Sequence, residues 1–148
     1  MDQADKNWTP SAILLAGAGA SLIVMGFYFL LMRPGLLPED IRFMALSDAQ
    51  LASVRPKLEE WLSHVFQVLG GYVLATGVLT VTLATTAYRA HHRGAFIGAL
   101  IGSAASIGLM AAVNFAINSD FKWLLLGIAL LWACSLAVFW FEENRKAA

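Results

Sequence analysis

Charge is almost missing from most of this 148-residue chain. Charged residues make up 14% of it, and they are concentrated at the termini and in the connections. Four long stretches, Ser11–Met32, Val65–Tyr88, Gly94–Ile117 and Phe121–Phe141, contain no acidic or basic side chain beyond Lys122 at the lip of the fourth. A proton-coupled transporter, ion pump or small drug exporter normally needs a carboxylate, lysine or arginine inside the membrane. None is drawn into these spans, and the embedded glutamate on which four-span multidrug exporters depend is absent. There is one cysteine, Cys134. An intramolecular disulfide and CxxC redox chemistry are therefore excluded, and Cys134 reads as a small packing residue. Only three histidines occur. His64 and the His91-His92 pair fall on opposite faces, so a bis-histidine haem within one chain is not expected. Ten basic residues balance ten acidic ones. No polybasic run points to nucleic acid, which is set aside as a partner. No GxSxG, HExxH or P-loop pattern is present, and neither a metal site nor a cofactor is expected.

What the chain does have is oil-soluble length. Hydrophobic residues make up 59%, and mean hydropathy is +0.67. A helix needs about 20 predominantly apolar residues to cross a hydrocarbon layer of roughly 30 Å. Lipid also forces every backbone group to be satisfied internally, which leaves helices or closed barrels. Runs this long and non-alternating exclude the barrel. The expected fold is an all-α integral membrane protein, a single domain over 1–148. It is an up-down bundle of four transmembrane helices at about 11–32, 61–88, 94–117 and 121–141. An extramembrane, partly helical loop fills about 33–60. The acidic n-region MDQADKNW and the absence of a small-x-small cleavage site make the first stretch an uncleaved span rather than a signal peptide. Asn7-Trp8-Thr9 matches a glycosylation acceptor by chance.

The loop has readable punctuation. Pro34-Gly35 stops the first span. Pro38 opens a short helix, with Glu39 and Asp40 in its first turn complementing the dipole. Ser47 and Gln50 form a capping box before a second short helix through Leu51 and Val54. Pro56 suits the first turn of a helix that runs on into the second span. The other links, Arg89–Arg93 and Asn118–Asp120, are short and predict antiparallel neighbours in series. Ser119 or Asp120 can cap the last helix. His91 and His92 read as part of a solvated turn. Lysines and arginines divide five against five between the two faces. The purely basic 89–93 link favours cytoplasmic termini in a plasma (inner) membrane. Trp8, Trp61, Trp123 and Trp140 fall at span ends as an interfacial belt. Trp132 falls mid-span as a packing residue.

Two features suggest function. Gly94, Gly98 and Gly102 recur every four residues with Ser106 continuing the row, and thirteen of the twenty-four residues from Gly94 to Ile117 are Gly, Ala or Ser. Small residues let helices approach where lipid offers no hydrophobic reward. The third span is therefore expected to be the most buried helix, packed within the chain or against a second copy or a larger partner. The bulkier fourth span is expected to face lipid. The second feature is polar. His64, Gln67, Gly71, Ala75, Thr82 and Thr86 form one stripe on the second span, with Glu60 one turn before His64. Asn114 and Asn118 form a pair on the third, and Tyr28 ends the first. If these faces meet, a pocket opens toward the loop. The leading function is a small structural or accessory membrane protein, an oligomer or partner subunit and not an enzyme. The runner-up binds a lipid or small molecule, with or without chemistry, in that pocket. A weaker third reading is an oligomeric channel.

Overall fold

The computed structural model describes residues 8–147, which are helical with no strand among them. The n-region before Trp8, Asn7 of the acceptor motif, and Lys6 lie outside the described residues. Helix α1 covers Pro10–Leu31, α2 Pro38–Met44, α3 Asp48–Leu83, α4 Arg93–Ser103, α5 Leu109–Ala116 and α6 Lys122–Ala147. Wider π-turns extend α3 through Ala84–Tyr88 and join α4 to α5 through Ala104–Gly108. Four helical stretches are long and apolar enough to span a membrane: Pro10–Leu31, Ala49–Tyr88, Arg93–Ala116 and Lys122–Arg145.

Local chemistry sets the element ends. Pro10 sits in the first turn of α1, and the Thr9 hydroxyl accepts from the Ala12 N–H. Leu37 precedes Pro38 at the start of α2, and the Asp40 carboxylate reaches back to accept from the Leu37 N–H at 2.9 Å. Ser47 and Gln50 exchange the two bonds of a capping box at the start of α3. One expectation is corrected here. The second loop helix and the second span are a single helix, with Pro56 in its interior rather than its first turn. Pro56 leaves the Ala52 carbonyl without its helical partner. Ala52 is exposed, so water can take that bond.

The central helix is α1, not the third span. It packs between α3 and α6, and its numbering runs against both. Gly26 lies on Leu74 and Gly19 on Gly77, while Gly17 faces Leu131 and Ser11 meets Glu142. At Gly26 an added Cβ would fall 2.6 Å from the Leu74 nitrogen, and at Gly77 2.7 Å from the Gly19 carbonyl oxygen. The two backbones touch, which only glycine permits. A Cβ added at Gly94, Gly98 or Gly102, by contrast, would meet no other part of the described chain within 4 Å. The expected order of burial is reversed: 17% of the third span's most apolar window is buried against 33% for the fourth. The row of glycines marks a flat face, but no helix among the described residues covers it. Cys134 also faces outward rather than into the packing.

The bundle is stitched tightly at the end carrying the termini. Tyr88 is fully buried, and its hydroxyl bonds the Ser135 hydroxyl at 3.0 Å. Ser135 Oγ donates to the Ser11 carbonyl at 2.8 Å, and Ser11 in turn bonds the Glu142 carboxylate through both N–H and Oγ. Phe139 packs on Tyr88 and Phe96 with ring centroids 4.6 and 5.1 Å away. His91 does not belong to a solvated turn. Its left-handed backbone (φ 56°) turns the ring inward onto Phe139, leaving the side chain 8% exposed between the Glu142 and Glu143 carboxylates. Toward the opposite end the helices part. α4 touches the last turn of α3, but α3 and α5 form no packed interface.

Candidate functional site

Where α3 and α5 part, the bundle leaves a half-open cavity of about 920 Å³. α1 supplies its back wall through Leu22, Met25, Tyr28 and Phe29. α3 supplies Phe66, Leu69 and Val73, α5 supplies Met110, Val113 and Asn114, and α6 supplies Leu125 and Ile128. Ala105, Ser106 and Ile107 of the π-turn also line it. A π-turn inserts one residue per turn into a helix and re-aims the turns beyond it. Here it falls between α4, which touches the end of α3, and α5, which does not. Tyr72 of α3 and Leu109 of α5 line the cavity and are 72% and 59% exposed, so it is open to the outside on this side. The volume lies toward the upper end of the roughly 300–1,000 Å³ typical of small-molecule sites, which are likewise mostly apolar with a few placed polar groups.

The polar groups gather at one end. α2 folds across the loop face of the bundle: Glu39 is buried at 6% exposure and accepts from Ser119 Oγ at 2.9 Å, while Arg42 pairs with Asp120 at 2.9 Å. Ser119 Oγ also accepts from the Phe121 N–H, so one hydroxyl both closes the turn that leads into α6 and fixes Glu39. Arg33, just past α1, has its side chain 8% exposed and stacks over Phe66 at 3.3 Å from the ring centroid. Nη2 donates to Asp40 at 3.3 Å and Nη1 to the Pro34 carbonyl at 3.1 Å. Burial lowers the Arg33 guanidinium from its ordinary pKa, and the Asp40 charge opposes that shift. Arg33, Glu39 and Asp40 are the charged residues lining the cavity.

The sequence-derived pocket is split by this geometry. Tyr28 and Asn114 line the cavity. Asn114 spends its amide N–H₂ on the Met110 carbonyl of its own helix at 2.9 Å. Asn118 takes a left-handed backbone (φ 53°) in the last turn, and its side-chain oxygen accepts from Lys122. Glu60, His64 and Gln67 are exposed on the outer side of α3. His64 lines a shallow hollow with Trp61, Val65 and Val68, and its Nδ1 lies 2.8 Å from the Glu60 backbone carbonyl. The Glu60 carboxylate reaches Lys57 instead. Thr82 and Thr86 bond back to carbonyls of their own helix, so the α3 stripe satisfies itself facing outward. Ser106 lines the cavity, whereas Gly94, Gly98 and Gly102 do not.

Sequence reasoning missed Glu39, which it read as a first-turn residue of a loop helix, and it placed Arg33 on the loop-side face beside Tyr28 without counting it in the pocket. The available signal was apolar: Leu36 and Leu51 in that loop are buried at 8% and 4%, and such residues in a short polar connection imply that it folds under. No group of three or more metal-ligating side chains forms among the described residues. No family model matches the chain, and neither a curated protein nor a solved structure is significantly similar to it.

Proposed function

We propose that this chain is a four-span, up-down membrane protein that binds a lipid-like or other amphipathic small molecule. The ligand occupies the cavity between α1, α3, α5 and α6, entering sideways through the slot beside Tyr72 and Leu109. Both termini lie on the cytoplasmic side of the plasma membrane, which puts α2 and the polar end of the cavity on the far face. The observation that carries this reading is an apolar cavity of about 920 Å³ with its charged residues confined to one end. That division matches a molecule with a tail and a head. The function is binding rather than catalysis, since Tyr28, Arg33, Glu39, Asp40 and Asn114 compose no nucleophile–base arrangement.

Filling the cavity tests this. Val73→Trp places an indole into the space, and native mass spectrometry of gently extracted protein compares the two chains. The native chain is expected to carry a bound small molecule that the variant has lost, both remaining folded by circular dichroism. Equal occupancy in both, or an empty native chain, contradicts the proposal.

A second reading has its own observation. The uncovered faces of Gly94, Gly98 and Gly102 support a helix–helix interface with another copy or a larger subunit, compatible with ligand binding.

A further inference from the structure

We infer that the polar end of the cavity receives the positively charged head of a single-tailed amphiphile, with the Glu39 carboxylate as its counter-ion. This rests on the reading of the cavity as a ligand site and names the ligand's class.

Charge is unevenly matched at that end. One basic and two acidic residues line the cavity, and Arg33 is committed to Asp40. The remaining formal charge is that of Glu39. Its side chain accepts one hydrogen bond, from Ser119, although a carboxylate offers about four acceptor sites. The neighbouring cations are engaged elsewhere: Arg42 holds Asp120, and Lys122 holds Asn118. Glu39 feels the charge of the Arg33 guanidinium, which is bonded to Asp40, and makes no ion pair of its own among the described residues; a cation brought to so buried a carboxylate recovers part of its desolvation cost. An anionic head meets the opposite situation, because the guanidinium that would receive it is already bonded to Asp40 and packed against the Phe66 ring.

Aromatic rings complete the arrangement. Tyr28 and Phe121, with centroids 6.1 Å apart, both line the cavity. The Tyr28 hydroxyl makes no hydrogen bond within the described residues. Ring faces beside a carboxylate are the combination that binds alkylammonium groups. The apolar remainder of the cavity takes the tail, and the slot opens toward lipid, where such amphiphiles partition with head at the interface and chain inward.

The test uses the full chain in phosphatidylcholine nanodiscs and three dansyl-tagged undecyl probes bearing a trimethylammonium, a hydroxyl or a carboxylate head. Binding is read as energy transfer from tryptophan to dansyl. In the native chain the ammonium probe is expected to saturate at a concentration roughly tenfold below the alcohol, the size of one charge-assisted contact, with the carboxylate weakest. In Glu39→Gln, which keeps an oxygen for Ser119, the ammonium is expected to fall within about twofold of an unchanged alcohol. Equal affinity for ammonium and alcohol in the native chain, or tightest binding of the carboxylate, overturns the head assignment while leaving the ligand cavity standing. If no probe saturates, or Val73→Trp leaves all three unaffected, the ligand cavity itself is overturned. The ranking on the native chain decides the matter even if Glu39→Gln fails to fold.

Discussion

Ser135 shows how much one small side chain can hold together. It is fully buried, bonds the Tyr88 hydroxyl, and donates to the Ser11 carbonyl, so it ties α6 to the end of α3 and the start of α1. Inter-helix hydrogen bonds in membrane proteins average about 0.6 kcal/mol, because the unfolded chain also finds partners in lipid. Tyr88→Phe is therefore expected to cost about 0.5–1 kcal/mol. Ser135→Ala removes its bonds to Tyr88 and Ser11 but leaves the Tyr88 hydroxyl donating to the Ser135 carbonyl at 3.1 Å, and is expected to cost about 0.5–1.5 kcal/mol. Denaturant titration of the purified protein in mixed micelles measures both. Equal, negligible losses would show that packing of Phe139 and Trp132 alone closes this end. Neither residue's role is legible in the sequence. Tyr88 reads as the last residue of a span and Ser135 as one of many small residues, and nothing local announces that they meet across 47 positions.

At the scale of elements, the two glycine patterns separate what a sequence reveals from what it conceals. The Gly94, Gly98, Gly102 row is conspicuous because its spacing repeats along one helix, yet it stands open. The glycines that join helices are scattered between two, Gly19 and Gly26 on α1 against Gly70 and Gly77 on α3. A regular spacing states which face is flat; whether another helix of the same chain lies on it depends on non-local packing. Gly26→Ala and Gly77→Ala press a methyl into opposing backbone and are expected to lose about 1–3 kcal/mol or more, the usual cost of overpacking. Gly98→Ala meets nothing among the described residues, and its better helix propensity is expected to leave stability unchanged or raise it by up to about 1 kcal/mol. The same titration ranks them. A Gly98→Ala loss as large as that of Gly26→Ala would place a partner on the third span and favour the oligomeric reading. Spans, caps and the α2 start were legible because they follow local rules: length against lipid, a serine–glutamine exchange, a proline in a first turn.

Taken whole, the molecule is a bundle closed at one end and parted at the other. The closed end is held by the Ser11–Ser135–Tyr88 bonds and aromatic packing on Phe139, and the parted end is covered by α2 through Glu39–Ser119 and Arg42–Asp120. The cavity comes from that asymmetry. It was legible only in part, through Tyr28 and Asn114, because short links predict that consecutive helices are neighbours along their length. Here the link from α3 to α4 fixes one end alone, and the π-turn at Ala104–Gly108 accompanies the divergence beyond it. The exposed α3 stripe through His64 and Gln67 attracted attention because polar residues in an apolar helix usually face inward. The threonines and His64 instead find backbone carbonyls of their own helix, which removes the need for a polar neighbour. The most direct test is a high-resolution map of the protein in lipid nanodiscs. The account predicts α3 and α5 apart at the level of Tyr72 and Leu109, with elongated density running from Glu39 and Tyr28 down to Ser106. Helices α3 and α5 in contact along their length, with Leu69, Val73 and Met110 filling the space between them, would contradict it.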